Sequence, residues 1–274
     1  MNTFPPNSET DKQKLNLLPV QTITFNNGAS ASVIKVAPKT EPQHILKTLK
    51  SISPQEFETI KAFIVVSGGA GGLKALEQTS QYQLQQLLTQ GIVQVADEIR
   101  VGFITGGTDS GIMAMLGQTF AECHYALPLI GIAPAELITM PDMTLSSSES
   151  KTPLEANHSH FILVAADEWG QETDTMYALA AALLTEKPVL TILINGGEIA
   201  QSEILHSVRL GIAVIVIQGS GRLADKIALY THHPQLVIDP IIEEIIASGK
   251  IHLFPLEDDI MAFKRLLHSV LFLR

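Results

Sequence analysis

The stretch GIAVIVIQGSGRLAD (211–225) has the three parts of a strand–turn–helix unit. Its apolar run is short and uninterrupted, which is typical of a strand buried on both faces of a parallel sheet. Two glycines then flank Ser220, and Arg222 opens a helix-like segment. Such a turn either only redirects the chain, or also holds a phosphate on the free N–H groups at the start of the helix.

The same strand–turn–helix pattern recurs from residue 62 onward, where apolar runs alternate with helix-like segments. The runs, each with the residues that follow it, are AFIVVSGGAGG (62–72), EIRVGFITGGTDSG (98–111), PLIGIAP (128–134), HFILVAADEWG (160–170) and PVLTILINGGE (188–198). Strands that alternate with helices indicate a parallel sheet with right-handed crossovers. The predicted fold class is α/β, with a Rossmann-like, doubly wound, mainly parallel sheet.

An N-terminal β-hairpin is predicted before this repeated pattern begins. Residues 21–38 alternate around the turn signal Asn27-Gly28. We expect residues 1–18 to be disordered or loosely attached, and residues 19–274 to form a single nucleotide-ligand-binding domain.

Two other segments carry specific expectations. The long polar stretch 135–159 predicts a surface excursion. The helix-like segment after residue 72 is predicted to break near Gly91, because glycine is a poor helix former.

The composition excludes several classes of protein. The 274 residues are 46% hydrophobic, and the net charge of −10 leaves no basic face for nucleic acid. The single cysteine, Cys123, excludes an intramolecular disulfide framework and a cysteine-rich zinc site. The polar N-terminus predicts no signal peptide, and the apolar runs are too short to span a bilayer. We therefore expect a cytoplasmic protein with no direct membrane insertion.

Glycines follow four of the predicted strands, in the loops at 67–72, 105–108, 195–198 and 218–221. The carboxyl ends of parallel strands lie at one edge of the sheet, where open α/β sheets bind their ligands. One glycine pair is most often only a turn, but four at one edge favour close approach of the backbone to a ligand. The predicted ligand-binding residues are Gly68, Gly69, Ala70, Gly71, Thr105, Gly106, Gly107, Thr108, Gly170, Glu172, Gly196, Gly197, Glu198, Gly219, Ser220, Gly221 and Arg222.

Arg222 is the candidate anion contact, since few of the 18 Lys and Arg residues fall near these glycine loops. A guanidinium binds phosphate in a planar, bidentate way. The alternative is a salt bridge with Asp225 on the same helix. The hydroxyls of Thr105 and Ser220 are either phosphate contacts or helix caps.

The acidic candidates are Glu172 and Glu198, together with neighbours such as Asp167 and Asp174. A carboxylate in a nucleotide cleft accepts hydrogen bonds from ribose hydroxyls or an adenine amine, or activates water for cleavage of a glycosidic bond. Alternatively, an acidic loop is only solvated or caps the next helix. The pair His158 and His160 favours a structural role over a metal site, because no further ligands are grouped nearby.

Several segments together resemble a known family. They are VSGGAGG (66–72), FITGGTDSGIM (103–113), IGIAP (130–134), NHSHFILV (157–164), ILINGGE (192–198) and VIVIQGSGRLAD (214–225). The series resembles the SLOG domain of the N-terminal melastatin homology region of TRPM cation channels, above all its stand-alone prokaryotic LSDAT form. The resemblance runs from about residue 20 to the end of the sequence.

The resemblance implies a Rossmann-like fold that binds nucleotide-derived ligands. In one channel branch this domain binds ADP-ribose, and the matching positions here imply Arg222 and Thr105 as contacts. The wider superfamily includes phosphoribohydrolases with the signature PGGxGTxxE. That signature is not found here, and WGQETDTMY (169–177) stands at the comparable position. No catalytic residue, metal or required cofactor is therefore predicted.

Three functions follow from these observations. The first is a sensor for a nucleotide small molecule such as ADP-ribose, another NAD-derived ligand or a cyclic nucleotide. The second is a nucleotide hydrolase with Glu172 or Glu198 as acid or base. The third is a scaffold whose glycine loops bind nothing. The macromolecular partner stays open: it is either a second copy of the chain, in a homo-oligomer, or a downstream effector. Nucleic acid is not expected as a partner.

Overall fold

A nine-stranded central sheet organises the part of the chain that the computed structural model describes, residues 17–69, 71–141 and 151–272. The predictions for residues 1–16, for Ala70 and for the 142–150 part of the surface excursion lie outside the described residues. The strands are β1 (Val20–Thr24), β2 (Ser30–Val36), β3 (Ala62–Gly68), β4 (Val101–Thr105), β5 (Leu129–Pro134), β6 (Ile138–Thr139), β7 (Thr152–Pro153), β8 (His160–Val164), β9 (Val189–Ile194), β10 (Ala213–Gln218) and β11 (Ile251–Pro255).

The strand order in the sheet is β1-β2-β8-β5-β4-β3-β9-β10-β11, and β6 pairs separately with β7. Neighbours are parallel except β1 and β2, which form the predicted antiparallel hairpin. From β3 the chain moves outward through β4, β5 and β8, and it then returns to the other side of β3 with β9. The predicted fold class is confirmed, and the direction of winding changes between β3 and β9.

Helices cover both faces of the sheet. Their bounds are α1 (Pro42–Ile52), α2 (Pro54–Thr59), α3 (Gln78–Gln86), α4 (Gln94–Ile99), α5 (Gly111–Glu122), α6 (Thr173–Leu184), α7 (Glu198–Arg209), α8 (Arg222–His232), α9 (Pro240–Ala247) and α10 (Ile260–Phe272).

Alternate residues of β3 show how these layers form. Ile64 packs with side chains of α3, α4, α5 and α10, whereas Phe63 and Val65 pack with α1, α2 and α6. Successive strand residues point to opposite faces, so an uninterrupted apolar run supplies two cores at once. The helices α7, α8 and α9 pack on the same face as α6, against β9 and β10.

Two expectations about local structure were wrong. The helix does not break at Gly91, because a π-helical segment, Leu87–Val93, joins α3 to α4. Gly91 is buried there, and a Cβ atom on it would lie 3.0 Å from side-chain atoms of both Leu87 and Phe263, so a larger side chain would have to displace them. The prediction of a surface excursion is also wrong for residues 154–158. Leu154 packs beside β1 and β8, and both Glu155 and His158 are buried.

No helix in the described part of residues 17–272 is both long and apolar enough to cross a membrane.

Candidate functional site

A cavity of about 540 Å³ lies at the carboxyl ends of β3, β4 and β9, next to the change in winding direction. This is the position at which open α/β sheets bind ligands. Its walls come from the loops after these strands, from α7, and from the residues just before α6. The lining residues are Val66, Gly68, Gly69, Gly71, Gly106, Thr108, Ser110, Met113, Thr152, Trp169, Glu172, Gly197, Glu198, Ile199, Ala200, Glu203 and Arg222.

The first glycine of the loop after β3 lies where the backbones crowd together. A Cβ atom on Gly68 would lie 2.5 Å from the carbonyl oxygen of Ile194, the residue beside it in β9, and 2.8 Å from Cγ2 of Ile112. Any other residue at this position would separate the two strands that form the floor of the cavity. The glycine is therefore required by packing, whether or not a ligand approaches it.

Arg222 lies across the mouth of the cavity, between the loops after β3 and β9. Its Nη1 donates to the carbonyl oxygen of Gly71 at 3.4 Å, and a Cβ on Gly197 would lie 2.7 Å from Nη2. The backbone of Arg222 has φ of 51°, in the left-handed region that costs a side-chain-bearing residue roughly 1–2 kcal/mol. With this backbone conformation, the guanidinium lies against the loops after β3 and β9.

The guanidinium of Arg222 has no ion-pair partner within 4 Å among the residues that the structure describes. The alternative salt bridge with Asp225 does not form, because Asp225 accepts a hydrogen bond from the N–H of Gly219 at 2.6 Å instead. Arg222 is exposed. Its charge is therefore available to an anion in the cavity.

Asn195 connects the loop after β9 to the turn before α8. Its Nδ2 donates to the carbonyl oxygen of Ser220 at 2.7 Å, and its N–H donates to Oγ of the same residue at 2.7 Å. The Oδ1 of Asn195 is buried and has no hydrogen-bond partner in the described part of the chain. Because it lies 2.9 Å from the position of a Cβ on Gly69, this acceptor points at the loop after β3.

The start of α7 contributes free backbone donors to the cavity. The helix follows Gly197, and no side chain caps it. Within the described ranges, the N–H groups of Glu198 and Ile199 have no acceptor. A helix N-terminus carries a partial positive charge, so this wall favours an anion.

A buried carboxyl group that the sequence did not predict lies in the same cavity. Glu203 is 8% exposed, and its Oε2 accepts a hydrogen bond of 2.5 Å from Oγ of Ser67. Burial raises the pKa of Glu203 from 4.5 to about 7, the hydrogen bond from Ser67 opposes this rise, and the charge of Glu172 adds to it. Burial likewise raises the pKa of Glu172, whose carboxylate accepts from the N–H of Gly170. The cavity thus holds two buried carboxyl groups whose charges repel each other.

The spacing of residues 195–203 is the sequence signal for Glu203. Gly196, Gly197 and Glu203 have the separation of the glycine pair and the glutamate in PGGxGTxxE, although the intervening Gly and Thr are absent. Residues 195–203 follow β9, and α7 carries Glu203 back into the cavity.

The predicted ligand contacts fall into three groups. Those that line the cavity are Gly68, Gly69, Gly71, Gly106, Thr108, Glu172, Gly197, Glu198 and Arg222. Those that do not line it are Thr105, Gly107, Gly170, Gly196, Gly219, Ser220 and Gly221, of which Gly219 lines a second cavity together with Asp225 and Glu257. Ala70 lies outside the described residues. All of them stay predictions as ligand contacts.

The two hydroxyl candidates take part in buried hydrogen bonds. Ser220 donates to the carbonyl oxygen of Ile217 at 2.6 Å and accepts from Asn195. Thr105 accepts from the N–H of Gly107 at 2.9 Å, and its Oγ1 lies 2.8 Å from Nε2 of His158. Both hydroxyls therefore shape the loops of the cavity from behind.

The two candidate metal ligands, His158 and His160, belong to different hydrogen-bond networks. His158 contacts Thr105 and Glu155, whereas the ring of His160 contacts the hydroxyls of Ser53 and Ser159. Burial lowers the pKa of His160 to about 4. These contacts agree with the structural role favoured from sequence.

The fold and the cavity together define a Rossmann-like α/β protein with a ligand-sized cleft at the switch point of its sheet. The chain belongs to the family described as SLOG in TRPM, prokaryote (LSDAT), whose model matches residues 61–262.

Three curated relatives are cation channels of subfamily M of the transient receptor potential channels. Member 7 of Homo sapiens is 26% identical over 243 residues, which cover 77% of this chain and 13% of the channel. Member 2 of Mus musculus is 26% identical over 208 residues, 60% of this chain and 13% of the channel. The member-like 2 protein of Nematostella vectensis is 23% identical over 236 residues, 70% of this chain and 15% of the channel. The chain thus spans only 13–15% of the length of these relatives.

Proposed function

We propose that this protein is a binding domain that senses a nucleotide-derived ligand, either ADP-ribose or a related NAD-derived or cyclic nucleotide. The ligand lies in the cavity at the glycine loops, with a phosphate against Arg222 and the N-terminus of α7. The protein needs no cofactor and works in the cytoplasm. It passes the signal on through self-association or a downstream effector, without contacting nucleic acid. The relatives are channels by name, and only ligand binding is carried over to this chain.

The observation that carries the proposal is the position of Arg222. An arginine without a carboxylate partner lies over two glycine loops and beside a helix start with free N–H groups. Planar guanidinium groups and helix N-termini both favour phosphate.

Thermal unfolding with a panel of ADP-ribose, AMP, NAD and cyclic AMP tests the proposal. A ligand at about a hundred times its dissociation constant stabilises the folded protein by about 2.7 kcal/mol, which shifts the unfolding temperature measurably. The absence of a shift with every member of the panel at millimolar concentration would overturn the proposal.

A second candidate function, hydrolysis of the N-glycosidic bond of a nucleotide, is favoured by Glu203. A buried carboxyl group with a pKa of about 7 is suited to general acid–base catalysis near neutral pH. In this reaction the oxygen of a water molecule would bond to C1′ of the sugar as the C1′–N bond breaks, and Glu203 would take the proton of that water and pass it to the departing base. Incubation with AMP, ADP-ribose and NAD followed by chromatography decides between binding and hydrolysis. Products that form with the wild type but not with Glu203→Gln would establish the second function.

A further inference from the structure

The charged residues of the cavity are not all suited to an anion. Among its described lining residues, Arg222 is the only cation, whereas Glu172, Glu198 and Glu203 are acidic. Glu198 is exposed at the start of α7, but Glu172 and Glu203 are 5% and 8% exposed. The two buried carboxyl groups would repel a ligand whose polar groups are all phosphates. The cavity therefore fits a ligand with an anionic part and a separate part rich in hydrogen-bond donors.

Glu203 has one carboxyl oxygen left for such a donor. Its Oε2 accepts from Ser67, and its Oε1 has no hydrogen-bond partner among the residues that the structure describes. Oε1 is not one of the buried, unpaired side-chain atoms of the described residues, so it is open to the cavity, where a donor of a ligand takes the place of solvent. Because Glu203 lines the cavity, the donor to Oε1 is either a solvent molecule or a group of a bound ligand that displaces the solvent.

The spacing of the two ends of the cavity fits one nucleotide. The guanidinium of Arg222 lies against Gly197, and Glu203 follows six residues later on α7. Six residues of helix rise about 9 Å. When the phosphate of a nucleotide lies against Arg222, its sugar therefore extends along α7 toward Glu203.

We infer that Glu203 is the specificity-determining residue of this cavity, and that its carboxylate accepts hydrogen bonds from the sugar hydroxyls of the ligand whose phosphate lies against Arg222. This inference rests on the proposed function. Carboxylates accept from ribose hydroxyls in other dinucleotide-binding folds. A site built for a hydroxyl also rejects analogues that lack it, because its buried acceptor is then left unpaired.

The groups that face Glu203 make this contact dependent on pH. They are the hydroxyl of Ser67 on β3, the carboxyl of Glu172 before α6, and the phenol of Tyr177 on α6. None of these groups is a cation, so nothing among them holds Glu203 ionised at mildly acidic pH. Acidification consequently protonates Glu203 and weakens it as an acceptor.

Calorimetric titration of the full chain with ADP-ribose tests the inference, at about pH 8 and about pH 5.5. Glu203→Gln keeps the shape of the side chain, and we expect it to weaken binding about tenfold at the higher pH, since a charge-assisted hydrogen bond becomes a neutral one. The wild type should lose affinity on acidification, and the variant should lose much less. Glu243→Gln, a charge-matched change on the exposed face of α9, should bind as the wild type does.

The outcomes separate this inference from the proposed function. Equal affinity of the wild type and Glu203→Gln, with ADP-ribose bound by both, would overturn the inference and leave the proposed function standing. A wild type that binds no nucleotide would overturn both. If Glu203→Gln fails to fold, Ser67→Ala serves in its place, because it keeps the carboxylate but removes the donor that orients it. Unchanged affinity in that variant would also contradict the inference.

Discussion

The Nε2 atom of His158 lies 2.8 Å from Oγ1 of Thr105, at the end of β4. On the other side of the ring, Nδ1 lies 2.7 Å from a carboxylate oxygen of Glu155. Because a carboxylate only accepts, Nδ1 of His158 donates to Glu155, and Nε2 pairs with the hydroxyl of Thr105. The same hydroxyl accepts from the N–H of Gly107. One buried network therefore fixes the loop from which Gly106 and Thr108 line the cavity.

We predict that His158→Ala destabilises the protein by about 2 kcal/mol. The change removes a buried ring and takes one hydrogen bond from each of Glu155 and Thr105, which keep their bonds with Asn157 and Gly107. A buried polar group that loses a partner costs roughly 1–3 kcal/mol. Urea unfolding at neutral pH measures the loss. His232→Ala, at an exposed position on α8, should change the free energy of unfolding by less than about 0.5 kcal/mol. Similar values for the two variants would show that the network contributes nothing.

Substitutions of Arg222 should separate stability from binding. Both Arg222→Ala and Arg222→Gly remove the guanidinium, so we expect both to lose most of their affinity for ADP-ribose. Only glycine adopts the observed φ of 51° without strain. The Gly variant should therefore be more stable than the Ala variant by about 1 kcal/mol. Thermal unfolding and calorimetric titration of the pair check both statements, and an Ala variant that binds normally would remove Arg222 from the site.

The position of the guanidinium should depend on the absence of a side chain at Gly197. A methyl group there would lie 2.7 Å from Nη2 of Arg222, which is the end of a flexible side chain and can move aside. The φ of Gly197 is −131°, which alanine tolerates. Gly197→Ala should accordingly weaken the binding of ADP-ribose about tenfold while it leaves the unfolding temperature nearly unchanged.

The double variant with Arg222→Ala tests the cause of that loss. If Gly197→Ala acts by displacing the guanidinium, it should cause no further loss once Arg222 has been replaced. Additive losses would instead indicate that Gly197 approaches the ligand directly.

The sheet and its glycine edge could be predicted because their signals are local. The run before Gln218 is short, apolar and followed by glycines, and β10 and α8 lie where this pattern indicates. The hairpin around Asn27-Gly28 is confirmed for the same reason. That residues 19–274 form a single domain stays a prediction.

Features that depend on tertiary packing could not be predicted in this way. Glu203 occupies a polar position of a moderately amphipathic helix, and only the packing of α7 over Ser67 and Tyr177 buries it. Glu155 and His158 lie in a polar, irregular segment without periodicity. They are buried because each satisfies the other. Polar residues that pair with one another leave no signature in a hydropathy pattern.

The ionisation of Glu203 should be visible in the pH dependence of stability. Burial raises its pKa from 4.5 to about 7 in the folded protein, against the opposing hydrogen bond from Ser67. The folded state therefore holds this proton more tightly than the unfolded state does. Below about pH 4.5 the group is protonated in both states. As the pH rises toward 7 the unfolded state ionises first, so stability is lost, and above about pH 7 the loss is complete.

Glu203→Gln cannot ionise, so the comparison of the two proteins isolates this effect from other titrating groups. The stability of the wild type relative to the variant should fall by up to about 3 kcal/mol between about pH 4.5 and about pH 7, and stay level at higher pH. Urea unfolding of both proteins across this range measures the difference, with Glu243→Gln as the charge-matched control. A difference that does not change with pH would show that Glu203 has an ordinary pKa, and would remove the physical basis for its role as an acid or base.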